Sequence, residues 1–187
     1  LMVPLFLAGS QGADMAIIEG AMGLFDGRLG TDGFGSAAHI ARLLDAPVIV
    51  VVDASHTARS AAAVALGLAH YDSRIRVAGV IANRAHGRIA VELERAIAKT
   101  GLPFLGALPT MKGVSAPSRH LGLIPTSERE VARENIVRAG ELVATHIDLA
   151  AVREIAQNAS PLPDEVWSPD EHVPTMIHDS QVANSPL

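Results

Sequence analysis

Val48-Ile49-Val50-Val51-Val52-Asp53 is a run of five β-branched residues closing on a carboxylate. An unbroken apolar run of this length suits a strand covered on both faces, as in a parallel sheet. Downstream the pattern alternates. Residues 57–70 are rich in alanine and predict a helix. Residues 77–82 are again strand-like and lead into Asn83-Arg84. Ile89, Leu93 and Ile97 share one helical face, with Gly101 placed to end that helix. Residues 104–108 predict a further strand. Ser127-Glu128-Arg129-Glu130 reads as a capping box opening a helix to about Thr145. Asp148 is placed to cap another, to about Asn158. Upstream, Ser36 is placed to cap a helix through about Leu44, and residues 15–19 predict a buried strand ending at Glu19. Strands alternating with helices imply an α/β fold with a doubly wound, mostly parallel sheet.

Composition narrows the function classes. The chain has 187 residues, 49% of them hydrophobic, and a net charge of −5. That is enough apolar material for one domain with a real core. No dense Lys/Arg cluster occurs, which argues against nucleic acid or an anionic membrane as partner. The chain has no cysteine, so disulfides and thiolate metal sites are out and a cytoplasmic setting is expected. No apolar run reaches membrane-spanning length. Leu1-Met2-Val3-Pro4-Leu5-Phe6 lacks a basic leader and a cleavage site. A start at Leu1 suggests a piece cut from a longer protein. After Ala159 prolines fall at 161, 163, 169, 174 and 186 among acidic and polar residues. We therefore divide the chain into a domain over 1–158 and a Pro-rich acidic linker or tail over 159–187.

Carboxylates at strand ends are the candidate chemistry, because ligands of open α/β sheets gather outside the carboxyl ends of the strands. Glu19 closes one predicted strand and begins Glu19-Gly20-Ala21-Met22-Gly23-Leu24-Phe25-Asp26-Gly27. Glycine lets a backbone approach a ligand closely, and a carboxylate there can hold Mg²⁺ shared with phosphates. A cap or a solvated turn is the alternative for both Glu19 and Asp26. Asp53 lies on the same edge, with a helix N-cap as its alternative. Asn83 follows a predicted strand, where asparagine is also a common turn residue. Arg119 can bind a carboxylate or phosphate bidentately, whereas His120 reads better as part of a structural loop. The remaining histidines show no ligand spacing. Gly33-Phe34-Gly35-Ser36-Ala37-Ala38 fits G-x-G-x-x-A, and Asp53 follows at the expected distance. However, no strand runs directly into Gly33, so a dinucleotide site is not expected there.

Residues 19–27 resemble the E-G-x-M-G-L-[FY]-D-G signature of the cobyrinate or hydrogenobyrinate a,c-diamide synthases, glutamine-dependent amidoligases of cobalamin synthesis. Val50-Val51-Val52-Asp53-Ala54-Ser55, Val80-Ile81-Ala82-Asn83-Arg84, Gly106-Ala107-Leu108-Pro109 and Pro117-Ser118-Arg119-His120-Leu121-Gly122-Leu123 are similar to segments of the same family. The resemblance implies a P-loop NTPase-like fold of the dethiobiotin synthetase type. It implies Glu19 as Mg²⁺ ligand beside the ATP γ-phosphate and Asp26 at the reacting carboxylate or ammonia. It further implies Asp53, Asn83 and Arg84 at the nucleotide, and Gly23, Leu24 and Arg119 at the substrate. The implied partners are a corrinoid, ATP with Mg²⁺, and ammonia from a glutaminase domain, with a homodimer as an open option.

Two family parts are missing from the sequence. No G-x-x-x-x-G-K-[ST] occurs, although the family holds ATP phosphates with such a loop. The cysteine nucleophile of the glutaminase domain is absent too. The resemblance thus covers roughly residues 1–158, the C-terminal part of the synthetase domain without its P-loop strand. From this we expect the chain alone to be inactive and marginally stable. Three other readings stay open: an amidoligase for another tetrapyrrole, a switch ATPase of the partitioning type, and a non-catalytic remnant.

Overall fold

A computed structural model describes residues 2–110 and 129–163, the side chains of 129–132 excepted. In chain order the elements are α1 (Met2–Gly9), α2 (Ala37–Leu43), β1 (Val48–Asp53), α3 (Arg59–Tyr71), β2 (Val77–Asn83), α4 (Arg88–Ala98), β3 (Phe104–Leu108), α5 (Arg129–His146) and α6 (Leu149–Gln157). The strands form a parallel sheet in the order β1-β2-β3. Each parallel pair is joined through a helix, as parallel geometry requires.

Alternation along the strands sorts the side chains onto two faces. Val50 and Val52 of β1 and Val80 and Ala82 of β2 point one way. They meet Ala61, Ala62 and Ala65 of α3 and Leu93 and Ile97 of α4 in the main core. The small alanines of α3 let it sit close to the sheet, while Leu93 and Ile97, both 0% exposed, fill the space beneath α4. The opposite face is covered in part by α6. A Cβ built at Gly79 would lie 2.5 Å from Leu105 Cδ1 and 3.4 Å from Ile155 Cδ1, so glycine leaves the room these two side chains occupy. Helices thus flank both faces of a parallel sheet, the α/β architecture expected.

Two of the predicted caps form. Ser36 Oγ accepts from His39 N at 3.1 Å, and Asp148 Oδ1 accepts from Ala151 N at 2.9 Å. Between α5 and α6 the chain brushes the outer edge of β3, where Ile147 bridges Gly106 antiparallel and Asp148 N donates to Leu105 O at 2.8 Å. Gly106 has φ 135°, and any side chain there would collide with the His146 carbonyl. α1 has no counterpart in the sequence reading. Its Pro4 is buried and sits in the first turn, where a missing N–H is tolerated.

One expected element is absent. Residues 15–19 form no strand, and Ile17 is 82% exposed. A parallel strand exists only through a neighbour's hydrogen bonds, and among the described residues β1 pairs with β2 alone. Short apolar runs carry the same signal whether or not a partner is present, so the run reads as a strand while lying as irregular, exposed chain. The capping-box residues Ser127 and Glu128 lie outside the described residues.

Candidate functional site

The carboxyl edge of the sheet holds a polar cluster. Asp53 and Asn83 are register partners at the ends of β1 and β2, so the chain leaves both strands side by side. The ladder runs slightly past them, with Ala54 N donating to Asn83 O at 2.8 Å and Ala85 N to Leu108 O at 2.9 Å. Arg84, next along, adopts φ 61°. A non-glycine residue in this left-handed region is disfavoured by roughly 1–2 kcal/mol, so neighbouring contacts must hold it.

Those contacts are visible. Arg84 Nε donates to Asp53 Oδ1 at 2.9 Å, and Arg84 Nη2 donates to Asp53 Oδ2. Ser55 N donates to the same Asp53 Oδ1 at 2.9 Å. Arg84 N donates to Asn83 Oδ1 at 3.0 Å. The Ser55 amide first, and then Arg84, hold the Asp53 carboxyl below the usual aspartate range. Both side chains of the pair remain half exposed, so the cluster is a surface feature within reach of a ligand. Asp53 thus caps no helix: α3 begins without a side-chain cap. A second ion pair, Arg59 with Glu92, ties the first turn of α3 to α4 near the same edge. Arg59 lowers the Glu92 carboxyl, with Arg95 and Lys99 adding to it.

The glycine-rich segment lies elsewhere. Glu19 is exposed and irregular. Asp26 N donates to Gly23 O at 3.0 Å, and the Asp26 carboxylate folds onto Gly23, where a Cβ would collide with it. Leu24 is tied to α2 through Ala38 N, which donates to Leu24 O at 2.8 Å. Gly27 packs against the backbone of Gly33 and Phe34, where a Cβ would come within 2.6 Å of Phe34 O, and Arg28 N closes that loop onto Phe34 O at 2.8 Å. Phe25 stacks against Tyr71, ring centroids 4.7 Å apart. Tyr71 ends α3, whose 13 residues span about 18 Å from the Asp53 edge. Asp53, Asn83 and Arg84 are therefore brought together, while Gly23, Leu24 and Asp26 form a separate group joined to α2, with Glu19 exposed upstream of them. Arg119 lies outside the described residues. The G-x-G-x-x-A segment enters α2 from a turn, so the strand a dinucleotide fingerprint needs is absent.

The donor set bears on the implied Mg²⁺ and ATP. Among the described residues no group of three or more His, Asp or Glu gathers as a metal cage. Mg²⁺ bound with nucleotide needs no such cage, because it takes one or two carboxylates, water and phosphate oxygens. Glu19, exposed, fits that requirement as a single ligand. Asn83 fits a base, because Arg84 N occupies its Oδ1 and its Nδ2 hydrogens meet no protein acceptor among the described residues. Ser55 and the Asp53–Arg84 pairing were not foreseen in the sequence. Their signal was an acid at the end of one predicted strand and a base just past the end of another.

Comparison with known proteins comes from two directions. A family described as "AAA domain" matches residues 8–118. The chain is 50% identical over 175 residues to a hydrogenobyrinate a,c-diamide synthase of Thermobifida fusca, covering 91% of this chain and 37% of that protein. It is 42% identical over 173 residues to the Streptomyces coelicolor protein of the same name, covering 91% of this chain and 36% of that protein. It is 43% identical over 166 residues to a cobyrinate a,c-diamide synthase of Dehalococcoides mccartyi, covering 88% of this chain and 36% of that protein. The chain spans little more than a third of the length of these curated relatives. No solved structure matches.

Proposed function

The chain belongs to the AAA domain family matched over its residues 8–118, and from that premise we propose that it forms the C-terminal part of the synthetase domain of a cobyrinate or hydrogenobyrinate a,c-diamide synthase. The observation that carries this reading is 50% identity over 175 residues to a protein of that name. Residues 1–158 belong to the ATP-dependent amidoligase domain, and residues 159–187 are a linker or tail.

The reaction converts the a and c carboxylates of the corrin to amides. A carboxylate resists nucleophiles because of its charge, so it is first activated. Its oxygen forms a bond to the γ-phosphorus of ATP, and ADP leaves. Ammonia derived from glutamine then attacks the acyl carbon, phosphate departs, a proton is lost and the amide remains. Such a transfer depends on positioning and charge stabilisation. Glu19 would hold Mg²⁺, whose contribution is to offset charge on the phosphates. Asp26, folded over Gly23, would orient the carboxylate or the incoming ammonia. Asn83 Nδ2 would donate to the base, and Arg84 would lie beside the nucleotide. Gly23, Leu24 and Arg119 would line the corrin side.

The test uses the full-length protein that carries this chain. It is incubated with hydrogenobyrinate or cobyrinate, ATP, Mg²⁺ and glutamine, and product mass is read. Two carboxylate-to-amide conversions, abolished by Glu19→Gln, are expected. ATP consumption with an unchanged corrin would instead favour a switch ATPase of the partitioning type.

A further inference from the structure

We propose that Asp53 is a positioning residue: it clamps Arg84 and thereby fixes the Asn83 amide with Nδ2 as the donor offered to the nucleotide base. This rests on the functional reading above and assigns Asp53 a role distinct from ligand contact. Three observations combine. First, both Asp53 oxygens are engaged within the protein, by Arg84 Nε and Nη2 and by Ser55 N. Second, Arg84 holds φ 61°, a conformation that an arginine keeps only under restraint, and the two-point ion pair with Asp53 supplies it. Third, the backbone N–H of this clamped residue donates to Asn83 Oδ1, 3.0 Å away, so holding Arg84 in place holds the donor that the Asn83 amide bonds to. Only the carbonyl oxygen can accept an N–H, so this bond sets which end of the amide faces out. The pair Asp53↔Asn83 in the strand register places clamp and clamped group on adjacent strand ends.

The experiment is a double-mutant cycle in the full-length protein with Asp53→Asn, Arg84→Gly and both changes together. ATP binding is measured by calorimetry in EDTA and again across a Mg²⁺ titration. Asp53→Asn keeps the side-chain shape and weakens the pair. It is expected to weaken ATP binding about ten-fold in the Arg84 background. In the Arg84→Gly background, where glycine takes φ 61° unaided, the same change is expected to cost less than about two-fold. Asp53→Glu, which retains charge, is expected to recover part of the loss. The half-saturating Mg²⁺ concentration is expected to stay the same in Asp53→Asn. Equal losses in both backgrounds, or a shift of the Mg²⁺ midpoint, would overturn the role of Asp53 as a clamp. Wild-type protein that binds no ATP at all would overturn the functional reading, and the role of Asn83 with it. ¹⁵N spectra then decide the clamp itself: the Arg84 Nε–H signal is expected to be protected from exchange in wild type and exposed in Asp53→Asn, and equal exchange in the two would overturn the clamp.

Discussion

Replacing Leu93 by alanine should cost the protein about 3–4 kcal/mol of stability. Leu93 is 0% exposed at the centre of the cluster that joins α4 to Val80 and Ala82. Alanine removes three carbon atoms, worth about 0.8 kcal/mol each in lost burial, or about 2.4 kcal/mol. The neighbours are held by the sheet and by α3, so the space cannot fully collapse. A cavity contribution of about 1 kcal/mol or more follows, within the range seen for buried leucines. Ile89 lies on the same face of the same helix but is 37% exposed. Ile89→Ala should therefore cost no more than about 1–1.5 kcal/mol. Urea unfolding of the full-length protein, followed by a probe of this domain, measures both variants, with an unchanged slope required for comparison. Equal losses would refute the claim that the α3–α4 side of the sheet carries the domain's stability. The result also bears on the site, because Ala82 directly precedes Asn83.

Acid should weaken the join between α2, α3 and β2. Asp72 is held down to about 2, chiefly by the Arg74 side chain and its backbone N–H, with Arg42 adding to it. A carboxyl lowered in the folded state contributes stability above its unfolded pKa, lost as pH falls from about 4 towards about 2. Wild type should thus lose stability across that window, and the difference between wild type and Asp72→Asn should shrink there; a constant difference in acid melts would count against the assignment. Gly27→Ala should force the loop off Phe34 and speed hydrogen exchange at the Arg28 amide, which now donates to Phe34 O; unchanged exchange would show that the loop tolerates a Cβ. Residues 1–187 expressed alone should self-associate, because among the described residues β1 has no partner on its outer edge, and Val51 there is 59% exposed. Cooperative melting as a monomer in sedimentation and calorimetry would overturn that expectation.

Much of the sheet was legible because its signals are local. Five β-branched residues before Asp53, the Leu93–Ile97 spacing and the caps at Ser36 and Asp148 each report a feature set within a few residues. Residues 15–19 misread for the opposite reason: strand identity there depends on a hydrogen-bonding neighbour, which no local pattern encodes. The site divides the same way. Asp53, Asn83 and Arg84 were legible as strand-end residues, but their mutual bonding needed the register of two strands 30 residues apart. The glycine-rich motif was legible as a motif, while its seat against Tyr71 depends on an aromatic contact across distant chain.

Among the described residues no helix is long and apolar enough to cross a membrane. The order β1-β2-β3 in space repeats the order in the chain. On the ribosome, each strand and its helix would therefore emerge to find the preceding strand already available for pairing. Synthesis proceeds at about 5–20 residues per second, far slower than loop closure or hairpin-scale pairing. Among the described strands, none must therefore wait to be inserted between two made earlier, and β3 joins last.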